Sequence, residues 1–229
     1  MGLAFLALTG NTSTRPVRNA THSSERPTRG IVYVSGALLK AEFERCSFIG
    51  SGHSSNSDIK FASRHGDIAL AAGTLGLTDC LLAQADGSNA VHVVSGTLRL
   101  RNVTIADNLG RAIKADSSAA TVTMTNSIAW GNALGGIVGA YGENVAAGYS
   151  LVQGETVWPG TRNILADPDF RADPPWRLKA LSPCVGTGLL LDGMRQSRDL
   201  AGNPRVIGSA VDLGCYEMDT PHATVILLR

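Results

Sequence analysis

A repeat of about 24 residues occupies the middle of the chain, and nothing else in the sequence limits the fold as tightly. The segments Phe43-Glu-Arg-Cys46-Ser-Phe-Ile, Leu77-Thr-Asp-Cys80-Leu-Leu-Ala, Leu100-Arg-Asn-Val103-Thr-Ile-Ala, Met124-Thr-Asn-Ser127-Ile-Ala-Trp and Gly148-Tyr-Ser150-Leu-Val align with one another. Cys46, Cys80, Val103, Ser127 and Ser150 then become equivalent, at successive separations of 34, 23, 24 and 23 residues. The third and fourth units agree best: Leu98 matches Val122, Leu100 Met124, Asn102 Asn126, Asn108 Asn132 and Ile113 Ile137, each 24 residues apart. The longer first gap is absorbed by a side loop over Gly50–Asp58, rich in Ser, Gly and Asn.

A unit this small cannot bury its own apolar face, so it must stack on its neighbours. Short apolar runs ended by Gly, Asn, Asp or Ser are strand punctuation. Two or three strands per unit, stacked in parallel about 4.8 Å apart, place equivalent residues on top of one another. Leu98/Val122 and Ile113/Ile137 are expected as inward ladders. Asn102/Asn126 and Asn108/Asn132 are expected as turn ladders, because stacked amides bond to one another and Asn tolerates left-handed backbone. A leucine-rich repeat has a similar period but needs a regular Leu-x-x-Leu-x-Leu frame, which is absent. The expected fold is all-β: a right-handed parallel β-helix of about five or more rungs, from about Val34 to Gln153, with an irregular C-terminal cap.

The 26 glycines suit many tight turns better than helices, where each interior Gly costs about 1 kcal/mol relative to Ala. Lys and Arg total 20 against 19 Asp and Glu, so no basic field draws in nucleic acid or anionic lipid. No stretch approaches the roughly 18 apolar residues that cross a bilayer as a helix. The first ten residues are apolar but lack a basic flank, and Gly2–Leu8 reads as a strand of an earlier rung in a longer chain. Residues Asn11–Gly30, polar and carrying Pro16 and Pro27, read as a loop or excursion. The expected organisation is therefore 1–153 for the repeats and 154–229 for the cap region, which closes the open end of the stack.

The repeat offers Arg45, Asp58, Lys60, Arg64, His65, Asp67, Asp79, Asp86, Arg99, Arg101, Asp107, Arg111, Lys114 and Asp116 as charges. Asp79 falls over Asn102 and Asn126 and reads as a member of the turn ladder. Arg99 and Arg101 alternate with Leu98 and Leu100, the pattern of an outward face. Asp107, Arg111, Lys114 and Asp116 lie within one loop and strand and are the catalytic candidates if the chain is an enzyme. His53, His65 and His92 stand apart from one another and from any acid in sequence. No nucleophile elbow or phosphate loop occurs. In the cap, Asp167, Asp169, Asp173, Asp199 and Asp212 are numerous; turn formation accounts for them, with Ca²⁺ as the alternative. No cofactor or metal is otherwise expected. Three Asn-x-Ser/Thr triplets begin at Asn11, Asn19 and Asn102.

Seven motifs then occur in order: Asn126-Ser-Ile-Ala-Trp-Gly-Asn132, Tyr149-Ser-Leu-Val-Gln-Gly154, Asn163-Ile-Leu-Ala-Asp-Pro-Asp-Phe170, Trp176-Arg-Leu178, Leu181-Ser-Pro-Cys184, Asp199-Leu-Ala-Gly-Asn-Pro-Arg205 and Val211-Asp-Leu-Gly-Cys-Tyr-Glu217. Together they resemble the end of bacterial right-handed parallel β-helix proteins of the pectin-lyase-like class that carry a choice-of-anchor C-terminal domain. The resemblance covers roughly Leu98 to Glu217 and implies an exported or surface-attached protein. Two departures stand out: Val185-Gly-Thr-Gly188 replaces an Asp-containing turn, and no sorting signal follows Tyr216-Glu217. Cys184 and Cys215 fall in two of the cap motifs, and a bridge between them is expected to staple the cap. Cys46 and Cys80 occupy equivalent rung positions, where a buried thiol ladder is favoured over a disulfide because in-register side chains point the same way.

These readings give a leading expectation of a non-enzymatic, extracellular or surface-attached scaffold that adheres or contacts glycans, as a monomer or part of a longer chain. The alternative is a polysaccharide lyase or glycoside hydrolase, with its catalytic rungs at Asp107–Asp116 or upstream of Met1.

Overall fold

The computed structural model describes residues 32–50, 68–86, 89–139 and 144–218, with the backbone of three short strands before them. The chain winds as a parallel β-solenoid. Its first coil gives β1 (Leu6–Thr9), β2 (Val17–Arg18) and β3 (Thr21–Ser23), its second β4 (Val32–Ser35), β5 (Lys40–Glu44) and β6 (Ser47–Ile49). The third gives β7 (Ile68–Leu70), β8 (Thr74–Thr78) and β9 (Leu81–Ala83), and the fourth β10 (Asn89–Val93), β11 (Gly96–Arg101) and β12 (Thr104–Ala106). The fifth gives β13 (Arg111–Ala115), β14 (Ala120–Thr125) and β15 (Ile128–Trp130), the sixth β16 (Ile137–Gly139), β17 (Val145–Gly148) and β18 (Leu151–Val152).

Equivalent strands of neighbouring coils pair in parallel to form three six-stranded sheets: the first from β1 to β16, the second from β2 to β17, the third from β3 to β18. This is the fold class that the repeat implies. Residues 68–139 carry three coils with only residues 87 and 88 outside the description. That near-continuous stretch is shorter than the five or more rungs expected, and the flanking strands complete the sheets. Strand β1 pairs with β4 as an earlier rung. Strands β2 and β3 fall inside 11–30, which the sequence presents as a loop. They are two and three residues long, too short for periodicity to register, and their partners β5 and β6 supply the ladder. The side loop after Gly50, with Asp58, Lys60, Arg64, Asp67, His53 and His65, lies outside the described residues.

The predicted ladders form. Leu98 stands over Val122 and Ile113 over Ile137, all buried. At the corner between the second and third sheets, Arg45, Asp79, Asn102, Asn126 and Tyr149 all have φ between 50° and 53°. That left-handed conformation is why Asn and Asp recur there. Asn126 donates to Asn102 (3.2 Å), which donates to Asp79 (2.9 Å). Asn108 donates to Asn132 at 2.7 Å on the next ladder. Cys46 and Cys80 are buried free thiols that donate to carbonyls, Cys80 to Thr78 at 3.1 Å. Higher in the same column Ser127 and Ser150 replace them, each accepting a main-chain N–H from the coil below.

Beyond β18 the chain is irregular. Trp158 packs against the end of the core and Ile164 bridges Leu151, so this stretch seals the last coil. The remainder does something else: it turns back as a strap along the outside of the third sheet. Trp176, Cys215, Leu200 and Tyr216 cover Leu81, Ala83 and Ala106; Leu178, Cys184 and Leu213 cover Ile128 and Leu151. Strands β9, β12 and β18 of the third sheet are therefore buried on both faces, and the polar Thr104 among them accepts the Cys215 N–H. Cys184 and Cys215 belong to these two separate clusters, and the expected bridge between them is not formed; both are free thiols. Burial pushes each thiol up to about 12, so they act as small apolar side chains.

Candidate functional site

Among the described residues, the second sheet is the one whose outward side chains stay open to solvent along the stack. Register alone sets its surface. One outward column reads Glu42, Gly76, Arg99, Thr123, and the next reads Glu44, Thr78, Arg101, Thr125, on successive strands β5, β8, β11 and β14. Inward positions of the same strands hold Phe43, Leu77, Leu100 and Met124 in the core. These two columns floor a cavity of about 370 Å³, walled on one side by Leu191 of the strap. It falls within the usual size range of ligand sites. A hollow of about 150 Å³ adjoins it, between the turn ladder and Asp192, Gly193, Met194 and Ser197. Strands about 4.8 Å apart put the floor's length, β5 to β14, at about 14 Å.

The wall is held by a buried ionic cluster. Arg205 is fully buried and donates through Nη2 to the carbonyls of Asp212 and Gly214, both at 2.8 Å. The same nitrogen lies 3.1 Å from Glu217, and Nη1 lies 3.5 Å from Asp79 on the turn ladder. Asp212 accepts the N–H of Gly186 and of Met218, and buried Asp199 accepts those of Asn203 and Glu217. One guanidinium thus meets the carboxylates of Asp79 and Glu217 out of water, and its charge also reaches Asp212. Burial pushes Glu217 to about 8 and Asp79 to about 6, with Arg205 opposing both shifts, and burial also raises Asp212. A second anchor lies two coils away, where Asn126 donates to Leu189 O (2.8 Å) and accepts Leu189 N–H (2.7 Å).

The four catalytic candidates do not form a site. Asp107 sits at a corner and accepts the indole N–H of Trp176 at 2.9 Å. Arg111 donates to the carbonyl of Leu134 on the following coil. Lys114 and Asp116 pair at 2.8 Å on the first sheet. Asp116 also meets His92, a buried histidine that the sequence leaves without an acid. Burial raises Asp116, but its bonds to Lys114 and His92 outweigh this and hold it below the ordinary carboxylate range. The signal for that trio was rung arithmetic, since His92 is in register with Lys114. Glu42 and Glu44 carry no signal in the repeat, whose recurring positions are apolar and amide residues with the acids lying between them.

Among the described residues no group of three His, Cys, Asp or Glu side chains could hold a metal ion. Of the cap carboxylates considered for Ca²⁺, Asp199 and Asp212 accept main-chain N–H groups, Asp167 accepts that of Asp169, and Asp169 pairs with Lys179. Asp173 precedes a cis proline. Among the described residues no helix is long and apolar enough to cross a membrane. Comparison with known proteins finds no matching family model, no matching curated protein and no matching solved structure.

Proposed function

We propose that the chain is a non-enzymatic, glycan-contacting β-solenoid of the cell exterior, and that the groove over the second sheet is its contact surface. One observation carries this reading. Among the described residues, this is the sheet that keeps its outward side chains accessible over four consecutive coils, and they include Thr, Arg and Glu, suited to hydroxyls and charged groups of a linear ligand. The ordered motifs from Asn126 to Glu217, similar to those of pectin-lyase-like β-helix proteins with a choice-of-anchor end, support an exported setting. The test is binding of the whole chain to a panel of neutral, acidic and basic polysaccharides. At least one should bind, and the double variant Arg99→Ala/Arg101→Ala should bind it at least tenfold more weakly. No binding across the panel, or undiminished binding by the variant, overturns the proposal.

A hydrolase remains the second reading because one feature favours it. Glu42 and Glu44 rise from one strand into the same groove, with Cα atoms about 6.6 Å apart at 3.3 Å per residue. Paired glycosidase carboxyls stand about 5–9.5 Å apart. This moves the rival from Asp107–Asp116 to β5. Reducing ends released by the wild-type chain and lost on Glu42→Gln would establish it in place of the non-enzymatic reading.

A further inference from the structure

We infer that the groove selects a glycan carrying opposite charges on neighbouring sugars, the pattern of an unacetylated amino sugar alternating with a uronic acid. The inference rests on the glycan-contacting reading and narrows its ligand class.

The order of residues along the floor is the basis. The outward column through the groove runs carboxylate, no side chain, guanidinium, hydroxyl: Glu42, Gly76, Arg99, Thr123. Arg101 stands two residues from Arg99 on the same strand, so two guanidiniums line the same stretch of the groove. Glu42 and Arg99 are two strands apart, about 10 Å between Cα atoms. Among the described residues neither arginine has an ion-pair partner, and Glu42 has none. On adjacent strands acid and base would neutralise one another. Here Gly76 holds them apart and opens a low seat between them. A Cβ at Gly76 would lie in ordinary van der Waals contact with Glu42 Cγ at 3.4 Å, so a larger side chain here would begin to fill the seat that glycine leaves open.

A sugar resting over Gly76 meets Glu42, with Glu44 two residues along the same strand, on one side and two guanidiniums on the other. Thr78, Thr123 and Thr125 supply hydroxyls along the floor, and Leu191 offers an apolar edge to a ring face. An ammonium toward Glu42 and a carboxylate toward Arg99 and Arg101 satisfy both ends, the latter by bidentate bonds. A polymer with only carboxylates brings one of them against Glu42. A polymer with only ammonium groups brings one against the arginines. Both are penalised by like-charge contact, so the groove discriminates through repulsion as well as attraction.

Titration calorimetry of the full chain tests this with three oligosaccharides of equal length. They are alternating glucosamine–glucuronic acid, its N-acetylated parent, which is purely anionic, and oligoglucosamine, which is purely cationic. The first should bind at least tenfold more tightly than either of the others. Glu42→Gln should erase the advantage over the N-acetylated parent while leaving affinity for that parent equal or higher, a result that loss of folding cannot give. Equal or tighter binding of the parent by the wild-type chain overturns this inference but leaves the glycan reading standing. Failure of all three, together with failure of the wider polysaccharide panel, overturns both.

Discussion

Replacing Arg205 by Met tests whether the strap is clamped by charge. The guanidinium is fully buried and closes four contacts: two carbonyls at 2.8 Å, Glu217 at 3.1 Å and Asp79 at 3.5 Å. Methionine roughly fills the stem but leaves two carbonyls and two carboxylates facing an apolar side chain. Removing one partner of a buried ion pair costs about 3–5 kcal/mol, and each orphaned carbonyl about 1–3 kcal/mol. Proton uptake by the carboxylates offsets part of this, so a net loss of about 4 kcal/mol is expected near pH 8. With a urea slope of about 2–3 kcal/mol per molar, the midpoint falls by about 1.3–2 M.

The pH dependence sharpens the test. Glu217 and Asp79 have raised values in the folded chain, about 8 and about 6, because burial disfavours their charged forms. A raised carboxylate holds its proton more tightly when folded than when unfolded. Stability is therefore full below the unfolded values near 4, and is lost as pH rises through 6 and then 8. The wild-type chain should lose stability from pH 5 to pH 9, and the variant should lose it more steeply because the opposing cation is gone. Urea unfolding followed by tryptophan fluorescence at pH 5 and pH 8 reads both effects. A loss under 1 kcal/mol at pH 8, or equal losses at the two pH values, would refute the argument. Adding Asp79→Asn to Arg205→Met should restore part of the loss.

Asn126→Ala removes the bonds to Asn102 and to both main-chain groups of Leu189 at a left-handed corner. It should cost about 2–4 kcal/mol, and hydrogen exchange should show the Leu189 amide exposed before the core opens. Asn126→Gly keeps the backbone conformation at little cost and should recover about 1 kcal/mol of that loss. Trp176→Phe deletes the bond to Asp107 and part of the ring packed over Leu81, Ala83 and Ala106, and should lower stability by about 2 kcal/mol, read by chemical unfolding. All four cysteines should resist a thiol reagent in the native chain and titrate as four free thiols after denaturation without reductant. Fewer than four would show a disulfide that the structure lacks.

The repeat was legible because stacking forces equivalent residues into columns, so Leu98/Val122 and Asn102/Asn126 advertise the coil from sequence alone. Even Asp79, a lone acid to the eye, was assigned to its corner by that arithmetic. Contacts that cross between columns were not legible. Arg205 lies 126 residues from Asp79, with no period linking them, and only the path of the strap joins them. The same path separates Cys184 from Cys215: their two motifs lie over different coils, and an even cysteine count carries no geometry. Asp107–Asp116 looked clustered because the residues are close in sequence. In a solenoid ten residues turn a corner, so proximity along the chain scatters side chains over different faces.

That geometry also argues where any ligand must bind. Each coil offers three outward faces. The third is sealed by the strap, which packs Trp176, Leu178, Leu213 and Cys215 over it. On the first, Ala69 and His92 are buried despite outward register, and Lys114 and Asp116 neutralise one another. The second keeps Glu42, Arg99, Arg101 and Thr123 in the open, and the strap that closes the third sheet also delivers Leu191 to its rim. Clamp and groove are therefore parts of one arrangement. Loosening Arg205 should weaken binding in the groove without touching a residue of its floor, whereas substituting Arg99 or Arg101 should weaken binding and leave the urea midpoint nearly unchanged, since exposed charges contribute little to stability.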